Sequence, residues 1–549
     1  MFYDIQNHWA KPCIVELAKR NLVSGYPDGT FRPNSPVTRA EFAVLMFNCF
    51  SKAPIIRESI NFKDVAKTYW AYNAIQKATS RGFLVGYPDK TFKPDQQIPR
   101  VQTIIAYAGY QKLEIPVERE IYVNTSLDQL LKLYFEDAPD IPSYAKLLML
   151  NAADHYYVVN YPNSNKLNPN KASTRGEVAA LICQALKFWG VVPINYIAIT
   201  EPLAIFPQYD LTSPFSQGLA VVSNRLEYPN FGDQNIVIDQ KGQTVIDLKP
   251  YDWSSQQFSD GLLQVSVNGK LGFITTSGNL VISPQFEQAS DFSEVFAAVK
   301  IDNKFGYIDP SGTVIITPQF DEADQFKDNI ARVSLNQKYG YINTLGEVII
   351  PIEYEFASDF SEGLAKVKIE GKFGFIDTQG NVVISPQFEF CDSFSDGLAR
   401  VNLENQYGFI DKTGKIVIKT SNYVDSFSEG RAAILVNDKW GFIDRNGKIV
   451  ISPQFYGINY MQRPVVQGFS EGLAAVRLGA ICGFIDQNGN WIIRPKFSDA
   501  DSFSEGLAAV NWDGKWITRP IGYDSSAIPV DWETVLEDGK WGYIKNPLK

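Results

Sequence analysis

The chain has 549 residues, 45% of them hydrophobic and 20% charged, with a formal net charge of −10. It is too long for one hydrophobic core, and its composition is that of a folded protein of about three or four domains. Residues 1–190 carry 22 Lys and Arg against 17 Asp and Glu, a net +5; the remainder carries 29 against 44, a net −15. The acidic remainder disfavours nucleic acid and anionic membranes, whereas the N-terminal third suits an anionic partner. No apolar run reaches about 18 residues, so no membrane span is expected. Cys13, Cys49, Cys183, Cys391 and Cys482 form neither CxxC nor a zinc spacing and are read as buried free thiols. No basic stretch with an apolar run precedes the first folded segment, so no signal peptide is visible. A late start, a trimmed chain and an internal protein all fit that observation.

The first elements repeat. Residues 2–50 hold HWA, a stretch with Trp9, Ile14, Leu17 and Ala18 at helical spacing, then LVSGYPDGTFRPNSPVTRAEF. Residues 62–110 hold YWA, a second helical stretch, then FLVGYPDKTFKPDQQIPRVQT. A looser third copy runs over 134–186, with IPSYA and YVVNYPNSNKLNPNKASTRGEV. Each reads as helix, loop, helix. Pro, Asp and Gly in GYPDGTF follow the order of a tight turn. Thr38 and Glu41, and again Thr174 and Glu177, have capping-box spacing at the start of the second helix.

These motifs resemble the S-layer homology family over about a third of the chain. The resemblance implies an all-α assembly of three modules with pseudo-threefold symmetry. It also implies binding of anionic, often pyruvylated, secondary cell-wall polysaccharide or a peptidoglycan-linked glycan in the grooves between modules. The arginine of TRAE and the turn before it contribute to that sugar site. Carried over residue by residue, the site comprises Arg39, Arg175 and Arg100, the turn residues Gly25, Tyr26, Asp28, Gly86, Tyr87 and Asp89, and the aromatics Trp9 and Trp70. Arg100 stands in PRVQ, which has lost the Thr and Glu of the motif, and this puts the second groove in doubt. In the third copy Asn160, Tyr161 and Asn163 replace Gly, Tyr and Asp, and Tyr144 replaces Trp. A guanidinium offers paired donors to a carboxylate or phosphate, and an aromatic face can stack on a sugar ring. The competing readings are that Arg39 pairs internally and that Trp9 belongs to the core.

From Phe215 onward one phrase recurs. F-S-x-G-L-A or a relative begins at Phe215, Phe258, Phe292, Phe326, Phe360, Phe394, Phe427, Phe469 and Phe503, mostly 34 residues apart. Each unit offers three short strands, LAKV-like, KFGFID-like and NVVI-like, the last followed by PQF. Asp-x-x-Gly at 239–242, 309–312, 377–380, 411–414, 444–447 and 486–489 marks a bulged hairpin. The last start leads into a decayed unit, and a fragment GKWGYI closes the array at 539–544. The Lys-aromatic-Gly-aromatic signature resembles the WG repeat family, which implies a β-repeat module and no general catalytic activity. One such unit cannot bury its own apolar face, so neighbours must stack. An open, twisted all-β array is expected, with propeller-like closure of eight units as the alternative.

Chemical motifs are few. GFSEG at 468–472 fits G-x-S-x-G, but the same phrase occurs as DFSEG at 359–363, and His8 and His155 both lie in the helical third. The Asp-x-x-Gly turns carry one carboxylate each, too few for calcium. No phosphate loop or His/Cys cluster is present, so neither metal nor cofactor is expected. The resulting multidomain layout is module 1 at 1–50, module 2 at 61–110, a linker or helical connection at 111–133, module 3 at 134–187, a linker at 188–206 and the β-array at 207–549. The reading is a non-catalytic protein of the cell envelope, on the surface or in the periplasm, that grips a wall polymer and presents the array to an unidentified protein or glycan. An intracellular or periplasmic interaction scaffold and an envelope enzyme are the rivals.

Overall fold

The computed structural model describes residues 2–110, 126–188, 190–226, 232–403, 406–460, 463–512, 514–523, 529–537 and 539–549. Two compact units divide the chain, Met1–Pro202 and Leu203–Lys549. The first contains α1 (Lys11–Lys19), α2 (Arg39–Cys49), α3 (Tyr72–Ser80), α4 (Arg100–Tyr110), α5 (Leu127–Leu131), α6 (Lys146–Asp154) and α7 (Arg175–Ala185).

The capping boxes form as expected. Thr38 Oγ1 accepts from the Glu41 N–H and Glu41 returns the bond to the Thr38 N–H; Thr174 and Glu177 do the same. At α4 Pro99 takes the cap position, and its carbonyl accepts the Gln102 N–H at 2.9 Å. Helix packing is cyclic: α2 lies on α3, α4 on α6, and α7 on α1. The backbone repeats that order. N–H groups at the start of α2 reach Gln96 O and Pro94 O, those of α4 reach Lys171 O and Pro169 O, and those of α7 reach Ser35 O and Pro33 O. Helix-start donors that would otherwise be orphaned are thus satisfied by the following segment's loop, and the third returns to the first. Of the expected 111–133 connection, residues 111–125 lie outside the described residues, and α5 follows with its own Ser126–Gln129 box.

The second unit is built from nine sheets of three or four strands and two further two-stranded hairpins among the described residues. The sheet at 322–354 is typical: Glu322–Ala323, Ile330–Leu335, Lys338–Asn343 and Val348–Tyr354, antiparallel in that order. The expected Asp-x-x-Gly hairpins form. In one of them Gly380 adopts φ +81° and its N–H meets Asp377 O, while the Asp377 carboxylate accepts the N–H groups of Gln379 and Asn381. The glycine of KFGF has a different cause. A Cβ at Gly374 would lie 2.5 Å from Ile384 O and 2.7 Å from Pro386 N, because the PQF strand bulges across it. Apolar cores lie between sheets. Tyr341 and Ile350 of one sheet pack with Ala357, Phe360, Val367 and Ile376 of the next.

The array is closed, which corrects the expectation of an open one. Leu203–Tyr209, whose first four residues fall in the expected linker, is a strand paired antiparallel with Lys540–Lys545, which in turn pairs with Leu507–Trp512. The ninth sheet therefore takes its PQF strand, LAIFPQY, from the start of the unit and its KWG strand from the closing fragment. Lys515–Tyr523, the decayed KWG position, instead forms an inserted hairpin with Pro529–Glu537. Side chains complete the circle. Ser216, Ser259, Ser293, Ser361, Ser395, Ser428 and Ser470 each donate to the carbonyl of the next unit's phenylalanine, and Ser504 returns to Phe215, all at 2.5–2.9 Å. Lys327 stands where the fourth unit's serine would be. Nine sheets rather than eight fit into 34-residue units because the first strand of each shrinks to two residues or a single bridge.

Candidate functional site

The three loop segments of the first unit share one frame. An aspartate that sequence reasoning passed over holds each turn from below: Asp4 accepts the N–H groups of Phe31 and Arg32, Asp64 those of Phe92 and Lys93, and Asp137 those of Leu167 and Asn168. The signal for them was present as Phe-x-Asp at 2–4, 62–64 and 135–137. Gly25 and Gly86 are needed because the rings of Phe2 and Phe62 occupy the space a Cβ would fill.

Asp28 accepts from the Thr30 hydroxyl and N–H and from Arg32 at 2.8 Å. The Thr30 hydroxyl first, and then Arg32, hold its carboxyl down at about 2. Arg32 lies 4.0 Å over the Tyr26 ring. In the second turn Asp89 accepts from Thr91, which lowers its carboxyl, and Lys93 sits 4.1 Å over Tyr87. In the third turn Asn163 accepts the Asn165 N–H.

Each predicted arginine crosses to the next segment's turn. Arg39 Nε donates to Phe92 O at 2.8 Å and Nη2 to Val85 O at 2.7 Å, with the guanidinium over Tyr87 and Phe92. Arg100 donates likewise to Leu167 O and Val159 O, and also to Asn160 Oδ1. Arg175 donates to Phe31 O and Ser24 O, over Tyr26 and Phe31. Arg39 and Arg100 are buried, at 3% and 4% exposure; Arg175 is half-buried. Burial pushes both buried guanidiniums down, and Glu177 opposes this at Arg100.

The aromatics differ. Trp9 is stacked on Tyr161, centroids 4.9 Å apart and planes 4° apart, and Tyr196 meets both edge-on. Trp70 and Tyr144 are 63% and 62% exposed. Tyr196 belongs to the stretch expected as a linker. Its residues 190–202 instead belong to the first unit: Asn160 donates to Tyr196 O and Ala198 to Val158 O, so residues 196–198 lie along the third turn. The structure thus sets each arginine beside the turn of the following segment rather than the turn before it in its own, and Tyr196, the three aspartates and Gln102 that surround these turns were not singled out from sequence.

An all-helical unit with interlocked arginine-bearing turns, followed by a closed ring of β-units, defines a modular repeat protein. Eight stretches between 237 and 516, together just over half of the chain, match the model of the WG containing repeat, and residues 2–43 and 61–102 match the S-layer homology domain. The chain belongs to the WG repeat family and carries S-layer homology domains at its N-terminus. Its first third is similar to the "Cellulosome-anchoring protein" of Acetivibrio thermocellus, 36% identical over 19% of this chain and 24% of that protein. It is also similar to "Exoglucanase XynX" of Acetivibrio thermocellus, 34% identical over 33% of this chain and 16% of that protein. "S-layer protein EA1" of Bacillus anthracis is 26% identical over 33% of this chain and 20% of that protein. The chain therefore spans less than a quarter of the length of each of these relatives. A solved eukaryotic initiation factor aligns over 60% of the chain at 11% identity and TM-score 0.37, too distant to bear on the fold. No helix among the described residues is long and apolar enough to cross a membrane.

Proposed function

We propose that the first unit is a pseudo-threefold trimer of S-layer homology modules, with residues 134–187 as the third. It holds the protein on the cell envelope by binding an anionic wall polysaccharide, and the β-ring is a non-catalytic surface for a further protein or glycan. The cyclic reach of Arg39, Arg100 and Arg175 to successive turns carries this reading. It sets a guanidinium beside Tyr87 and Tyr26 in the first two turns and beside Asn160 in the third. The family match of the first two modules and the anchoring and S-layer names of the relatives support it.

The non-catalytic part is supported by the use made of GFSEG. Ser470 Oγ donates to Phe503 O at 2.7 Å, the same inter-unit bond its counterparts make. His8 pairs with Asn34 and His155 with Asn151 O, both in the other unit.

Co-sedimentation of the full chain with purified bacterial walls tests the anchor. Retention at low salt that weakens with ionic strength is expected, and Arg39→Ala with Arg175→Ala weakens it further. A chain that stays in the supernatant at every salt concentration sinks the anchor and favours the intracellular or periplasmic scaffold. Wall lysis by the purified protein sinks the non-catalytic assignment.

A further inference from the structure

Neighbouring units of the β-ring are tied twice where one F-S-x-G loop meets the next. The serine hydroxyl donates to the following phenylalanine carbonyl, and the side chain after the serine accepts an N–H of the following loop. Glu294 accepts the Asp328 and Asn329 N–H groups at 2.7 and 2.8 Å, and Glu362 accepts the Gly397 N–H at 3.0 Å. The same bond starts from Gln217, Asp260, Asp396, Glu429, Glu471 and Glu505. Eight of the nine joints thus carry both ties.

The joint between the units that begin at Phe326 and Phe360 has neither of them among the described residues. Lys327 replaces the serine, so no hydroxyl meets Phe360 O, and Asp328 makes no bond to the Gly363 N–H. The side-chain type is not the cause, because Asp260 and Asp396 reach the N–H groups of Val295 and Gly430. Nothing particular to this joint replaces the two ties. Arg332 Nη1 donates to Ala357 O at 3.0 Å and the Tyr341 hydroxyl to Ser358 O at 2.7 Å. Arg400 makes the first of these bonds to Val424 O, and Tyr307 the second to Asp324 O, at joints that keep both loop ties as well. Beneath the loops the apolar core is present as elsewhere, with Tyr341 and Ile350 against Ala357 and Phe360.

We propose that the β-ring opens at this joint: the Phe326 and Phe360 units part and rejoin on their loop side more often than any other neighbouring pair, so the joint is a hinge in an otherwise evenly fastened ring. A net hydrogen bond contributes a several-fold factor to such an equilibrium, and one to a carboxylate contributes more. Losing both raises local opening roughly tenfold to a hundredfold. Opening uncovers Ala357 and Phe360, which are buried in the closed ring, and leaves the chain-closing pairing of Leu203–Tyr209 with Lys540–Lys545 in place.

The next joint supplies an internal reference. Cys391 stands three residues before Phe394 as Ala357 stands three before Phe360, and both are fully buried. Burial pushes the Cys391 thiol up to about 12, so it reacts only when its own joint opens. The test is native-state labelling of the full chain carrying Ala357→Cys with iodoacetamide, followed by peptide mapping, which reads both rates in one sample. The thiol introduced at position 357 is expected to label at least about tenfold faster than Cys391. Adding Lys327→Ser and Asp328→Glu, which rebuilds the pair formed elsewhere by Ser361 and Glu362, is expected to bring the two rates within about threefold of each other. Equal rates before the rebuilding overturn the inference. So does a fast rate at position 357 that the rebuilt pair leaves unchanged, because a core loosened by the new thiol alone does not respond to the loop. Urea denaturation of Lys327→Ser with Asp328→Glu, without the added thiol, gives a second reading: a midpoint above wild type is expected, and an unchanged or lower one overturns the hinge.

Discussion

Ser504 donates its hydroxyl to the carbonyl of Phe215, 2.9 Å away and 289 positions earlier in the chain. Beside it the Glu505 carboxylate accepts the N–H groups of Gln217 and Gly218. Both bonds copy those made between most consecutive units, so the ring joint uses the same chemistry as the joints within the array. Its apolar part joins Ile205, Tyr209 and Tyr543 with Phe215, Val222 and Ile238. Ile205→Asp puts a charge into that core and is expected to cost about 3–5 kcal/mol. The ring opens at this joint, and small-angle scattering shows a larger radius of gyration while circular dichroism keeps most of the strand signal.

The two glycine classes of the repeat separate by their cost. Gly374→Ala drives a methyl into Ile384 O and the Pro386 backbone, and the strand cannot yield without losing its bulge. A loss above about 3 kcal/mol is expected. At Gly363, φ +85°, a Cβ would meet nothing within 4 Å, so Gly363→Ala carries only the left-handed backbone penalty of about 1–2 kcal/mol. Urea denaturation of the two variants compares them directly; equal losses would contradict the bulge argument.

Burial raises the Asp499 carboxyl to about 6, against the attraction of Arg477, 3.4 Å away. The unfolded value is about 3.9, so the folded state binds this proton more readily. The favourable contribution is complete below about pH 4 and is lost as pH rises from about 4 to 6, a change on the order of 3 kcal/mol. Asp499→Asn removes that slope. The difference in melting temperature between wild type and variant, followed from pH 4 to 7, should grow in favour of the variant through this window and then level off.

Trp9 and Trp70 hold the same place in their modules but have different surroundings. Trp9→Ala removes the stack on Tyr161 and the edge contact with Tyr196, an expected cost of about 2 kcal/mol. Trp70→Ala, at a side chain 63% exposed, should leave stability within about 0.5 kcal/mol. If wall retention falls for Trp70→Ala alone at constant melting temperature, its ring contributes to ligand contact.

Local chemistry was readable along the chain and long-range closure was not. Thr38 with Glu41 and Asp377 with Gly380 lie three residues apart, so their bonds follow from spacing alone. Asp4 serves N–H groups 27 and 28 residues away, and Lys540 pairs with Asp210 across 330 positions. Nothing local marks such partners. The clue to closure was repetition in an unexpected place: LAIFPQY at 203–209 is a PQF strand without its own unit. The ninth unit escaped counting because its strands are split between the two ends of the array and interrupted by a hairpin. The motif ties Arg39 to the turn before it; its reach to the second module's turn, its burial, and the amide rather than carboxylate on its third edge depend on which module follows it around the cycle.

The closing strand also fixes the route that force takes through the molecule. Tension drawn along the chain from the first unit reaches residues 196–198 on the third turn, and then Leu203–Tyr209, within a few positions. It falls first on the pairing of that strand with Lys540–Lys545 and on its packing against Phe215, Val222 and Ile238. Eight of the nine sheets stand outside this path. A ring pulled by its first strand would part at that joint before its other sheets, like a clasp.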